Sequence, residues 1–310
     1  MSSLLEKIEK SVYYVKDNSN YVTINYDKID EIIGTGEFNK VSYWLESNPF
    51  GLLDMGYRKV INFLLIYHTI GDYSFWGEPK WEIETEDGIL DGSYAIMYIL
   101  INWFKKDKSF DMSIEEFRDL LKGNVEIPLL KERYDCLTKM NEYLDGIGKD
   151  FYEEIKDLKD DVSLLDYIIN TFSYFNDECD YKNERIYFYK RAQLITSDIL
   201  HVRKMLEGVE VDYSNLMGCA DYKIPQVMRC LGMLEFDLEL ETLVDNKIEI
   251  EYGSEMEVEI RANNLVVIDY IYKKLEGKVS RMDINDYIWL LGQDKSRVTK
   301  PYHRTRTIYY

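Results

Sequence analysis

The chain has 310 residues, with 38 Lys plus Arg against 57 Asp plus Glu and a formal net charge of −19. Its 46% apolar content, with only 17 Gly and 5 Pro, excludes a disordered or collagen-like sequence and suits one large or two ordinary domains with a substantial core. Affinity for a phosphate polymer needs a cationic surface, so no stable nucleic-acid complex is expected.

The longest apolar runs, near 61–67 and 95–103, fall short of the roughly 20 residues of a membrane-spanning helix. The first residues, Met1-Ser-Ser-Leu-Leu-Glu-Lys7, lack the basic-then-apolar order of a signal peptide. Cys136, Cys179, Cys219 and Cys230 show no paired two-residue spacing and read as free thiols of a reducing compartment. Three scattered histidines, His68, His201 and His303, propose no metal site. The expectation is a soluble, cytoplasmic protein with no membrane, metal or cofactor partner.

Ser3 predicts an N-cap for a helix on which Leu4, Leu5, Ile8 and Val12 share a face. Val60, Phe63, Leu64 and Tyr67 mark a buried helix that Gly71 ends. The stretch 81–92 alternates and turns at Asp87-Gly88 and Asp91-Gly92, a β-hairpin signal. Helical periodicity resumes over 93–106. Ser113-Ile-Glu-Glu116 is a capping box, and Pro128 suits the first turn of a helix running to 144. Further helices are predicted over 164–175, 187–206, 225–231, 238–245, 257–275 and 283–291. The acidic stretch 150–161 reads as a solvated helix face. With no Pro- or Ser-rich linker and no repeat, the pattern predicts a single, mainly α-helical domain over 1–310, with a small β element near residues 80–90.

Three segments differ from ordinary core helix. Phe75 and Trp76, between a helix end and the hairpin, suit either a stacking wall for a planar base or a seal over the core. Lys190 and Arg191 point about 100° apart on one helix, so at most one looks straight inward; a solvated basic edge is the plainer reading. Asp198, two turns beyond Arg191, could partner it or the neighbouring turns. Asp221 precedes Pro225 near a helix start, where a carboxylate caps backbone N–H groups or stabilises developing positive charge. The tail adds Lys295, Arg297, Lys300, His303, Arg304 and Arg306, a cluster that suits one phosphate group or neighbouring carboxylates.

Several blocks together resemble the queuosine salvage proteins: Ser74-Phe-Trp76, Pro128-Leu-Leu-Lys-Glu-Arg133, Tyr189-Lys-Arg-Ala-Gln193 and Ala220-Asp-Tyr-Lys-Ile-Pro-Gln226 with Leu231-Gly232. Glu257-Val-Glu-Ile-Arg261, Trp289 and Pro301-Tyr-His-Arg-Thr-Arg306 complete the match. The Ala-Asp-Tyr-x-x-Pro-Gln block is the most specific of these. The resemblance implies a fold similar to helical (helix-hairpin-helix type) DNA glycosylases. It also implies hydrolysis of queuosine 5′-monophosphate to release the base queuine, with water as co-substrate and no cofactor.

By position, the resemblance makes Asp221 the catalytic carboxylate and Lys190 an active-site lysine. It places Phe75, Trp76 and Trp289 near the base, and His303 and Arg304 in the C-terminal block. Lys190, then His303 and Arg304, become the candidate cations for the 5′-phosphate. Three positions depart from the family pattern. Cys219 stands where some members have Phe, Asn285 or Asp286 takes the place of an acid that contacts the base, and Leu45 aligns with a histidine. The leaving 7-deazaguanine lacks a protonatable ring nitrogen, so help must reach its carbonyl or amino edge, with Asp286 and water as candidates. Two other readings are a glycosylase acting on damaged or modified bases in nucleic acid and a non-enzymatic helical tRNA- or protein-binding module. The first needs a basic groove that a charge of −19 makes hard to supply.

Overall fold

The helical periodicities become α1 (Leu4–Asp17), α2 (Tyr26–Gly34), α3 (Tyr57–Ile70), α4 (Gly92–Phe104), α5 (Ile114–Leu120), α6 (Leu130–Ile147) and α7 (Phe151–Ile155). They continue as α8 (Asp161–Thr171), α9 (Lys190–Glu207), α10 (Lys223–Cys230), α11 (Leu238–Asp245), α12 (Glu255–Lys274) and α13 (Arg281–Leu291). The structure is a computed structural model that describes residues 3–39, 43–46 and 50–310, so Met1 and Ser2 of the N-terminal reading lie outside the described residues. The Ser3 N-cap and the Ser113–Glu116 capping box both form, and Glu6 makes the first a reciprocal box as well. Among the described residues no helix is long and apolar enough to cross a membrane.

Strands are more numerous than the sequence predicted. The expected hairpin is present as β2 (Glu82–Thr85) and β3 (Gly88–Asp91). A second antiparallel pair, β4 (Glu178–Tyr181) and β5 (Glu184–Tyr187), turns through Lys182 and Asn183, both at positive φ. Its turn carries no glycine, and its last residues fall where a helix was predicted from 187; Tyr189, at φ 48°, separates strand from helix. A third pair joins β1 (Val22–Ile24) to β6 (Leu234–Phe236), a contact between distant segments that no local pattern encodes. The helix predicted over 164–175 starts earlier, at the Asp160 cap, and gives way to a 3₁₀ turn at Ser173–Phe175. Pro128 stands before α6 rather than in its first turn, because Leu129 turns left-handed at φ 59°.

One contiguous cluster of buried apolar side chains runs from Ile8 to Ile288. Three of the described helices, α3, α9 and α12, are buried around most of their circumference. In α3 the residues from Phe63 to Ile70 are all buried. Its C-terminal carbonyls would lack partners there, and two buried arginines supply them. Arg191 donates to the carbonyls of His68, Thr69, Tyr174 and Ile308, and Arg133 to those of Ile70, Ser74 and Pro128. The basic-edge reading of Arg191 therefore gives way to a buried cap, and its partners are carbonyls rather than Asp198.

Buried α12 is polar as well as apolar, and each charge on its inner face is answered. Glu259 accepts the backbone N–H groups of Asn20, Tyr21 and Val22 and the Tyr181 hydroxyl. Asp269 takes Tyr13 and Arg281. Arg261 grips Asp177 through both terminal nitrogens, lies 3.4 Å from Glu257, and stacks between Phe188 and Tyr310. Removing one partner of such a group strands the others in low dielectric. The Arg261→Met variant should lose about 3–5 kcal/mol of stability, read as a lowered urea midpoint.

Candidate active site

The segment from Leu216 to Tyr222 links α9 to α10 without regular structure, so its backbone groups need side-chain partners. Gln193 accepts the Met217 N–H at 2.6 Å and Asn285 accepts that of Cys219 at 2.8 Å. Asn264 donates to the Cys219 carbonyl and Arg261 to the Ala220 carbonyl, each at 2.9 Å. Gly218, at φ +117°, brings the chain against α12, where a Cβ would lie 3.1 Å from Ile268. Three helices and one glycine thus fix the residue that follows.

Asp221 is buried at 7% exposure, and one carboxylate oxygen accepts the Ile224 N–H at 2.8 Å at the start of α10. Burial raises its pKa above the usual carboxylate range, against the opposing charge of Lys190 and the amides of α10. Asp221 thus accepts an amide of the first turn of α10, as the capping reading expected, and also lines a cavity.

That cavity opens to solvent and, counted together with the open space at its mouth, holds about 990 Å³ not filled by atoms. Aromatic rings form its walls. Trp44 meets Trp289 edge-on at 5.9 Å, and Phe75 lies against Trp81 at 6.2 Å with the Arg133 guanidinium 4.6 Å over its face. Lys190, Asp221, Asp72 and Asp286 stand within it, and Lys80 and Lys223 line it as well. Among the described residues the Lys190 ammonium has no hydrogen-bond or ion-pair partner, although the residue is only 6% exposed.

Asp286 carries the largest upward shift of the cavity's carboxyls. Burial, with the nearby Asp198 carboxylate, raises it from 3.8 to about 8 against the pull of His201. Its Oδ1 accepts from Asn285, whose own Oδ1 holds the Cys219 N–H. The two residues left open by the sequence thus divide the work: Asn285 holds backbone and Asp286 supplies the carboxyl.

Seven residues singled out in the sequence, Phe75, Lys190, Cys219, Asp221, Asn285, Asp286 and Trp289, line this one cavity. Three do not. Trp76 donates its indole N–H to the Thr305 carbonyl and lies beneath Arg306 at 3.7 Å and Arg304 at 5.6 Å. Arg304 pairs with Glu78 at 2.7 Å. His303 is buried beside Arg261, and burial with that charge pushes it to about 3, which leaves it neutral. The rest of the basic tail disperses: Arg297 faces Asp294 and Glu37, and Lys300 faces Glu241. Arg297, Lys300 and Arg304 thus face neighbouring carboxylates, while Arg306 lies over Trp76. Leu45 is buried.

Sequence reasoning missed Asp72, Lys80, Lys223 and Trp44. Lys80 and Lys223 sit in otherwise ordinary charged positions and meet only through folding. Asp72 carried a weak signal, a lone acid in an aromatic segment after a helix-ending glycine.

Comparison with known sequences fits this arrangement. The pattern of the queuosine salvage protein family matches residues 53–310. The chain belongs to the queuosine salvage protein family. A Sphaerobacter thermophilus relative named queuosine 5′-phosphate N-glycosylase/hydrolase is 32% identical over 82% of this chain and 83% of its own. Relatives of the same name from Dictyostelium discoideum (32% identical; 80% of this chain, 77% of its own) and Bos taurus (26%; 100% of both chains) extend the similarity.

For this queuosine salvage protein the Asp286 environment has a thermodynamic consequence. Between 3.8 and about 8 the folded chain holds a proton that the unfolded chain releases. Its contribution to stability is complete below the lower value and is lost as pH rises toward the upper one, by at most about 1.4 kcal/mol per pH unit. Above that the contribution is flat. Urea unfolding from pH 5 to 9 should show Asp286→Asn gaining stability relative to wild type as pH rises, with the gain levelling near pH 8.

Proposed function

We propose that the chain hydrolyses the N-glycosidic bond of queuosine 5′-monophosphate and releases queuine for reuse in tRNA. The carrying observation is one aromatic-walled cavity holding a buried carboxylate at a helix start, an unpaired lysine and a carboxyl raised to about 8. The relatives' shared name, queuosine 5′-phosphate N-glycosylase/hydrolase, supports the same reaction.

As the bond between ribose and base stretches, the sugar becomes oxocarbenium-like, and the fixed Asp221 carboxylate offsets that charge or captures the anomeric carbon transiently. Water then supplies hydroxide to the sugar and a proton to the base. Asp286, protonated near neutral pH, is suited to donate to the edge of a 7-deazaguanine that has no basic ring nitrogen. Phe75 and Trp289 fit the faces of the base, and Cys219 lies where a larger aromatic would press closer. Lys190 serves the phosphate or the sugar beside Asp221, while Lys223 replaces His303 and Arg304 as a further candidate cation for the phosphate; Lys80 lines the cavity but already pairs with Asp91 at 2.7 Å.

The helical body, with its catalytic acid at a helix start, supports kinship with helix-hairpin-helix DNA glycosylases, and the shared core supports a single domain over 1–310. The four free thiols suit a cytoplasmic setting, and the net charge of −19 disfavours stable nucleic-acid binding.

Purified protein incubated with queuosine 5′-monophosphate should release free queuine, measured chromatographically; absence of release would reject the assignment. Asp221→Asn should cut turnover by at least about 100-fold while circular dichroism and melting temperature stay near wild type. The phosphate-free nucleoside should show a lower kcat/KM than the nucleotide, since remote binding energy helps place the sugar. Equal efficiencies would remove the cavity lysines from phosphate binding.

A further inference from the structure

Asp72 lines the cavity, yet the reaction as outlined gives it no task. It follows α3 directly and is 7% exposed. One oxygen, Oδ2, lies 2.5 Å from Nδ1 of His68. The other ring nitrogen of His68, Nε2, lies 2.8 Å from Oδ2 of Asp198. The remaining Asp198 oxygen accepts the Tyr43 hydroxyl at 2.9 Å and the Trp44 indole N–H at 3.0 Å. His68 and Asp198 are fully buried, so the row Asp72–His68–Asp198 runs from the cavity wall into the core.

The far end of that row is saturated and the near end is open. Among the described residues no donor but His68 reaches Asp72, which leaves its other oxygen without a protein partner. That oxygen is not buried away from solvent but faces the cavity, where water or a ligand's donors can reach it. Burial works against its charge, but Lys190, His68 and Arg191 outweigh burial and hold Asp72 below the usual carboxylate range. His68 in turn is raised above the ordinary imidazole value by Asp72 and Asp198, against its own burial. A carboxylate stabilised in this way is a poor proton shuttle and a strong hydrogen-bond acceptor.

Its position indicates which donors it meets. Asp72, Lys190 and Asp221 line the one cavity, and the charge of Lys190 acts on both carboxylates. If Asp221 lies beneath the anomeric carbon, as the functional reading above has it, the sugar occupies the cavity that Asp72 also lines. We propose that Asp72 accepts hydrogen bonds from the vicinal hydroxyls of the substrate ribose, with His68 and Asp198 as positioning residues that hold its free oxygen toward them. This inference rests on the glycosidase reading and adds a sugar-recognition residue to it. Hydrogen bonds to the 2-hydroxyl strengthen as the sugar becomes cationic, so part of the effect falls on kcat.

The test compares wild type, Asp72→Asn and His68→Gln on three substrates: queuosine 5′-monophosphate, its 2′,3′-dideoxy analogue, and 7-deazaguanosine 5′-monophosphate, whose base lacks the aminomethyl-cyclopentenediol arm. Asp72→Asn should lose at least about tenfold in kcat/KM relative to wild type on the two ribonucleotides and less than about threefold on the dideoxy nucleotide. His68→Gln should show the same dependence on the hydroxyls with a smaller loss. An equal loss on all three substrates would reduce Asp72 to a structural role and overturn the inference. A loss that disappears only on the nucleotide without the arm would overturn it in favour of contact with the base's ammonium group. Wild type alone gives a second measurement: its KM should rise at least about tenfold on the dideoxy nucleotide, and an unchanged KM overturns the inference whether or not Asp72→Asn folds. Failure of wild type to release queuine would instead overturn the functional reading, whereas an active wild type indifferent to the hydroxyls overturns only the role of Asp72.

Discussion

The guanidinium of Arg261 joins more of this molecule than any local element does. It holds Asp177 with two hydrogen bonds, reaches the Ala220 carbonyl, and lies between the rings of Phe188 and Tyr310, while the Tyr310 hydroxyl donates to Glu257 at 2.6 Å. Asp177, in turn, accepts the Lys190 backbone N–H at the head of α9. One planar cation therefore ties α12, the approach to β4, the start of α9, the residue before Asp221 and the end of the chain. Arginine suits this place because its fork presents several donors in fixed directions and stays charged when buried. The arrangement is unfavourable in isolation, since every charge in it has left water. It holds because each member satisfies another.

The same logic governs the cavity, with the opposite outcome at a few positions. Around the helix ends, buried charge is answered by protein: Arg191 and Arg133 cap α3, and Glu259 gathers three backbone amides. Within the cavity, among the described residues, the Lys190 ammonium has no hydrogen-bond or ion-pair partner and Asp72 has only His68. Asp286 is driven toward its neutral form by burial beside Asp198. Polar groups left open within a cavity mark where a ligand's own polar groups belong. A nucleotide with phosphate, sugar hydroxyls and a hydrogen-bonding base edge offers groups of each needed kind.

Placement of the cations shows where reading along the chain stops being sufficient. Lys190 and Arg191 are neighbours and both buried, yet one lines the cavity and the other caps α3, because adjacent helical positions diverge by about 100°. The tail cations from Lys295 to Arg306 look like one cluster in sequence. In space they disperse onto Glu37, Glu78, Glu241, Asp294 and the face of Trp76. Phe75 and Trp76, side by side in the chain, separate in the same way, one to the cavity and one beneath the tail.

Periodicity and caps were enough to specify the mainly helical body, the Ser3 and Ser113 helix starts and the hairpin near 80–90, since these depend on residues within four or five positions of one another. The block around Asp221 likewise carried the family resemblance in its own residues. Only the folded chain decided the pairing of β1 with β6, the hairpin of β4 and β5, and the residues that line the cavity. It also decided that His303 is neutral, that Asp286 retains its proton and that His68 bridges Asp72 to Asp198. Those properties arise from burial and from charges brought together across long sequence separations. Local pattern records neither, because dielectric environment and proximity in space do not exist until the chain has folded.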